Sequence, residues 1–199
     1  MNKRSENTKF QQLVTTAHDL FMRHGIRRVT VEEICLEAKV SKMTFYKHFK
    51  NKIDLTKHLL HQIYSKQIAD YRTIMAKQIL FPEKVKQIVQ LKHEQTIMIS
   101  QEFFRDLLKN PNPEIVEFLE KKREESLNEV LNDLNMARKK GDIRQNINPE
   151  FILYFLNRMT EMAKDENLLS LYHSPNDLVM ELTNFFFYGI LPVKDNTEP

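Results

Sequence analysis

The sequence predicts an all-α fold, with a three-helix N-terminal domain ahead of a larger helical one. Three observations carry that expectation. Only 3 glycines and 7 prolines occur among 199 residues, while straight-chain residues, which lose little rotamer freedom in a helix, are abundant. Apolar residues recur at spacings of three and four, the signature of amphipathic helices. Helix-start signals at Thr30, Ser41, Asn51, Asn112, Asn148 and Ser174 punctuate the chain.

The first helix is expected over Thr8–His24, where Phe10, Leu13, Val14, Ala17, Leu20 and Phe21 share one face and Gly25 supplies the stop. Thr30 with Glu33 three residues on reads as a capping box, and opens a helix of about two turns. Ser41 caps a second short helix, Lys42–Phe49. Two short helices joined by a turn of about four residues around 38–41 read as a helix-turn-helix. Asn51 caps a long helix to about Leu80. Phe81-Pro82 breaks it, and helix resumes from Glu83 to about Lys109, with an interruption expected near Leu91–Glu94. Asn112-Pro113 starts a helix to Lys140, stopped by Gly141. Asn148-Pro149 starts another, through about Leu171. Ser174-Pro175 starts the last, which ends near Gly189 and Pro192. The expected domains are 1–52, with the motif at about 30–49, and 53–192. The tail 193–199 is expected to be disordered.

Composition excludes several classes. The single cysteine, Cys35, rules out an intrachain disulfide framework and fits a reducing cytosol. Its expected role is a small core residue. The N-terminus has no apolar run behind its basic residues, and no stretch approaches about 18 apolar residues. A cytoplasmic protein without a membrane span is expected. His58 and His61 share a helix face but are only two ligands, and His93-Glu94 lacks the second histidine of a zincin motif. No phosphate-cradling glycine loop or nucleophile elbow is present. No metal, no cofactor and no enzymatic activity are expected.

Charge is unevenly placed. The whole chain carries +3, but residues 1–57 carry +6 and the remainder −3. A basic N-terminal part on a mildly acidic body points to a polyanion partner for that part. The stretch VSKMTFYKHFKNK from Val40 to Lys52 makes this specific. On a helix, Phe45 and Phe49 share one face and pack inward. Met43 and Lys47 then point outward, with Lys50 near them and Thr44 and Tyr46 flanking. Ser41 and Lys42 stand at the N-terminus, where free N–H groups favour an anion. This surface offers cations and hydroxyls to phosphates, and Met43 and Thr44 to base edges, so the helix suits a major groove.

From Val14 to Leu55 the chain resembles the DNA-binding domain of the tetracycline-repressor (TetR) family. The matching residues are Ala17, Leu20-Phe21, Gly25, Thr30-Val31, Ile34, Ala38, Val40-Ser41-Lys42, Thr44-Phe45-Tyr46, His48-Phe49, Lys52 and Leu55. The resemblance implies that Thr30 is a phosphate-binding cap and that Ser41 and Lys42 open the recognition helix. It implies that Met43 and Thr44 read bases, that Tyr46 and His48 contact the DNA backbone, and that Lys52 contacts a phosphate. Three positions depart from the pattern: Lys39 stands where glycine is usual, Cys35 where alanine is common, and Met43 where glycine is common. A left-handed Lys39 would cost roughly 1 kcal/mol or more.

The resemblance further implies a homodimer on double-stranded operator DNA, acting as a repressor released from a palindromic operator by a small-molecule effector. A ligand cavity in the second domain would draw on Tyr64, Tyr71, Met75, Met98, Phe103, Phe104 and Phe118. The run FFFYGI puts aromatics on several faces of the last helix, more than one domain readily buries, so a subunit interface is their expected sink. Phe151, Phe155, Leu182, Phe185 and Phe186 are the candidates. Two alternatives stand beside this reading: a DNA-binding regulator controlled by a protein partner, and a helical small-molecule-binding protein that does not use DNA.

Overall fold

A computed structural model describes residues 3–97, 99–108 and 112–192. The expected disordered tail 193–199 and the ligand candidate Met98 lie outside the described residues. All regular structure among the described residues is helical. The helices are α1 Lys3–His24, α2 Val31–Glu37, α3 Lys42–His48, α4 Lys52–Met75, α5 Phe81–Ile97, α6 Gln101–Leu108, α7 Pro113–Lys140, α8 Pro149–Met162, α9 Glu166–Leu169 and α10 Pro175–Gly189. None is long and apolar enough to cross a membrane, and no group of three or more His, Cys, Asp or Glu among the described residues could hold a metal.

Several boundaries differ from expectation; α1, for one, starts at Lys3 rather than Thr8, and α5 at Phe81 rather than Glu83. The long fourth helix stops at Met75 rather than Leu80. Burial of Phe81 pulls the chain out of the helix, and the Lys84 ammonium caps the freed Met75 carbonyl at 2.6 Å. The interruption expected at Leu91–Glu94 is absent. Good helix formers and a Gln90–Glu94 side-chain bond of 2.8 Å carry α5 through it. The break falls later, where Ser100 Oγ accepts from the Phe103 N–H at 3.1 Å and opens α6. The helix from Pro149 ends at Met162, because Asp165 takes the N–H groups of Asn167 and Leu168 and starts α9 separately.

The chain forms two compact units. One comprises Met1–Lys66 and Ile99–Lys122; the other comprises Gln67–Met98 and Arg123–Pro199. This division does not follow the boundary expected at residue 52. The start of α4, all of α6 and the start of α7 share a core with α1, α2 and α3. Leu13, Phe21, Ile34, Phe45 and Leu55 are fully buried there, against Phe103 and Ile115. Each buried aromatic contributes about 2–3 kcal/mol. Cys35 lies in the same core, where burial pushes its thiol pKa up, as suits a small core residue.

In the second unit, α5 packs against α10. A core of Phe81, Val85, Leu134, Ile143, Ile152 and Phe186 holds them with α7 and α8. Both α8 and α10 have proline in the first turn behind a capping side chain, Asn148 and Ser174.

Candidate nucleic-acid interface

The two short helices are held by local bonds that the sequence announces. Thr30 and Glu33 form a complete capping box: Glu33 Oε2 accepts from the Thr30 N–H at 2.7 Å, and Thr30 Oγ1 accepts from the Glu33 N–H at 3.1 Å. The Thr30 hydroxyl also donates to Glu33 at 2.9 Å. Its donor is spent inside the box, beside a carboxylate whose pKa these bonds hold low. A phosphate at Thr30 would have to displace Glu33.

Lys39 adopts φ 54° in the turn between α2 and α3. The residue the pattern would make glycine is left-handed, and this lysine bears the strain. Ser41 then caps α3. Its Oγ accepts from the Thr44 N–H at 3.1 Å and pairs with the Thr44 hydroxyl at 2.9 Å.

On α3, Met43 is 71% exposed and Tyr46 56%, and Lys47 is exposed with them. Phe45 and Phe49 face the core, as the spacing requires. Ser41, Lys42, Met43, Tyr46, Lys47 and Lys50 therefore form the outward surface. The Lys42 ammonium pairs with Glu32 of α2, which ties the two short helices together. The pair raises the Lys42 pKa and lowers that of Glu32.

The structure places three of the expected site residues away from the outward face. Thr44 is buried with its hydroxyl on Ser41, so it presents little to a base edge. His48 turns inward: its ring meets Phe10 edge-on at 5.4 Å, and its Nε2 is buried without a partner. Lys52 does not point to solvent. Its ammonium donates to the carbonyls of Ile26, Arg27 and Val29 at 2.8, 3.2 and 2.7 Å. A lysine has three donors, and all three are used. Burial pushes its pKa down.

That clamp holds the loop between α1 and α2 from one side, and Asp106 of α6 holds it from another. Asp106 Oδ2 accepts from the Arg27 N–H at 2.8 Å. Gly25, at φ 79°, is the residue that permits this, because a Cβ there would stand 2.5 Å from the same oxygen. No local sequence signal marks Asp106, since it lies 79 residues from its partner.

The proposed ligand residues do not form one set. Phe103 is buried in the core of the first unit, with Phe118 packed against it; Tyr64 and Phe104 belong to that unit too. Tyr71 and Met75 belong to the second. Tyr71 is buried and its hydroxyl bonds Asp133, which with burial pushes its pKa far up.

Among the interface candidates, Leu182 and Phe186 are buried within the second unit. Phe151 and Phe185 are 54% and 70% exposed. With Phe155 and Arg144 they line an open groove of about 280 Å³ between α8 and α10. Tyr154 and Tyr188, which sequence reading missed, are exposed on the same two helices.

Residues 13–59 match the model of the family described as bacterial regulatory proteins, tetR family. The transposon Tn10 TetC protein of Escherichia coli is 42% identical over 69 residues, covering 34% of this chain and 33% of that protein. The match thus spans about a third of that relative's length. Among solved structures, regulatory protein TetR from Rhodobacter sphaeroides matches with TM-score 0.69 at 16% identity, over 92% of this chain and 98% of that one. The fatty acid degradation regulator FadR from Bacillus halodurans matches with TM-score 0.67 at 20% identity, over 91% and 95%. FadR from Bacillus subtilis, solved with stearoyl-CoA, matches with TM-score 0.66 at 16% identity, over 91% and 99%. At these identities the likeness is one of fold.

Proposed function

We propose that this chain, whose residues 13–59 match the tetR family of bacterial regulatory proteins, is a homodimeric repressor that binds a palindromic operator and leaves it when a small effector binds. The observation that carries the reading is the outward face of α3. Met43, Tyr46 and Lys47 stand exposed on a helix whose opposite face is locked into the core by Phe45 and Phe49. A rigid helix with one free face, bearing a cation, a phenol and a flexible thioether, suits insertion into a major groove. Met43 and Tyr46 reach toward bases and sugar-phosphate, while Lys42, Lys47 and Lys50 supply phosphate contacts.

The exposed aromatics of α8 and α10 support pairing with a second copy. Large apolar side chains left in water on two adjacent helices are the kind of surface that a subunit interface covers. Two α3 helices about 34 Å apart would meet successive major grooves on one DNA face. A protein of this fold holding stearoyl-CoA supports an effector role for the second unit. The effector must bind the DNA-competent and released conformers with different affinity, since tight binding to both shifts nothing.

The test is selection of bound fragments from sheared source-genome DNA by the purified protein, at two salt concentrations. Enrichment of a few fragments sharing an inverted repeat is the expected result. Uniform weak enrichment that vanishes at higher salt would mean phosphate attraction alone and would sink the specific-repressor reading.

A further inference from the structure

Between Thr30 and Asp54 the chain carries four carboxylates, on a segment otherwise rich in cations. Three of them hold the fold together. Glu33 completes the capping box with Thr30, Glu37 accepts from the Arg23 guanidinium at 2.9 Å, and Asp54 accepts from the Lys50 N–H at 3.0 Å. Glu32 is the fourth, and its partner is the ammonium of Lys42, the first residue of α3. The carboxylate therefore stands beside the end of α3 that meets base edges when a helix-turn-helix enters a major groove.

Two further observations leave it free to act there. Glu32 and Leu36, four residues apart, share one face of α2, away from the buried Ile34. Leu36 is 82% exposed, so no described residue covers that face. The Glu32–Lys42 pair also has both side chains more than half in solvent. Exposed pairs of this kind are weak, so Lys42 can exchange Glu32 for a DNA phosphate at little cost. The bond to Lys42 holds the Glu32 carboxyl below the ordinary carboxylate range. It is ionised at neutral pH, and an ionised carboxylate only accepts.

An acceptor-only anion set against a polyanion is repelled unless it finds a donor, and phosphates have none. The donors in the major groove are the amino groups of cytosine and adenine. The adenine amino group stands between two acceptors, its own N7 and the thymine O4. The cytosine amino group has an acceptor, guanine O6, on one side only, so it receives a carboxylate with less repulsion. We propose that Glu32 is a specificity-determining residue, which on the operator gives up Lys42 to a phosphate and accepts from the amino group of one cytosine in each half-site. This rests on the operator-binding reading above and extends the reading surface from α3 to α2.

The full-length parent, Glu32→Ala, Glu32→Gln and Lys42→Met are each used to select from a library of the operator with every half-site position varied in turn. The parent is expected to prefer cytosine at one position of each half-site by about tenfold or more. Glu32→Ala should lose that preference and keep those at all other positions. Glu32→Gln, which both donates and accepts, should move it to adenine. Lys42→Met breaks the same ion pair without removing the carboxylate. It should weaken binding to all sequences and flatten the logarithmic salt slope by about 1, while cytosine stays preferred. The proposal is overturned if Glu32→Ala keeps the parent's preference at every position, or if it weakens all sequences equally. It is overturned as well if Lys42→Met erases the cytosine preference, since Glu32 would then act only by holding Lys42. A parent that selects no sequence would overturn the repressor reading itself, and this proposal with it; a parent that selects sequences which the Glu32 variants do not alter would overturn the proposal alone.

Discussion

Lys52 shows how one side chain can mislead. It stands at a position where the family resemblance implies a phosphate contact, and it is a cation in a basic segment. Its three donors are nonetheless committed to the loop after α1. Lys52→Met should therefore act through stability. It is expected to cost about 2 kcal/mol in urea unfolding, since charge-assisted bonds to three carbonyls are lost. The dependence of DNA affinity on salt should stay as in the parent, whereas loss of a phosphate contact would flatten its logarithmic slope by about 1. Lys39 gives the opposite case. Its strain was foreseeable from the missing glycine, and its φ of 54° bears that out. Lys39→Gly should raise stability by about 1 kcal/mol, read as a higher urea midpoint. If the midpoint does not move, the turn is not strained.

At the scale of elements, α1, α3 and α4 meet around the Phe10 ring. His48 and His58 both set their rings against it, at 5.4 and 5.2 Å, and Phe49 stacks on it at 5.4 Å. The Nε2 atoms of both histidines are buried without partners. Burial, then the neighbouring His61, lowers the His58 pKa below its ordinary 6.5, while Asp54 opposes the shift. The unfolded chain thus takes up this proton first. The stability contribution is complete above about pH 6.5 and is lost as pH falls from there through the lower pKa of the folded state. Thermal melts between pH 7.5 and 5 should show this loss, and His58→Gln should reduce it. An unchanged pH profile in the variant would remove His58 from the account. Helix existence was legible from caps and periodicity: Thr30, Ser41, Asn112-Pro113 and Ser174-Pro175 all open helices where expected. Helix ends were less so. The ends of α4 and α8 are decided by Lys84, Phe81 and Asp165, whose competing bonds no local propensity describes.

For the whole molecule, the exposed aromatic face of α8 and α10 is the proposed subunit interface. Phe185→Glu places a charge amid Phe151 and Phe155 on the proposed interface. The parent is expected to elute as a dimer and the variant as a monomer, in size-exclusion chromatography with light scattering at equal micromolar concentration. A variant that remains dimeric would move the interface elsewhere. Specific DNA affinity should fall when dimerisation is lost, because one half-site alone forfeits half the contacts.

The amino-acid order alone determined the all-α class, the helix-turn-helix, its inward phenylalanines and the outward Met43, Tyr46 and Lys47. Those features depend on helical period and on capping partners three residues away, which a linear chain displays. Tertiary structure decided which cations are free, which aromatics are core and where the compact units divide. Lys52, Asp106, Thr44, His48 and Phe103 acquired their places from groups on neighbouring elements or from their depth in the packing. Burial and hydrogen-bond competition are properties of the folded neighbourhood, and residues of one type acquire different chemistry from it.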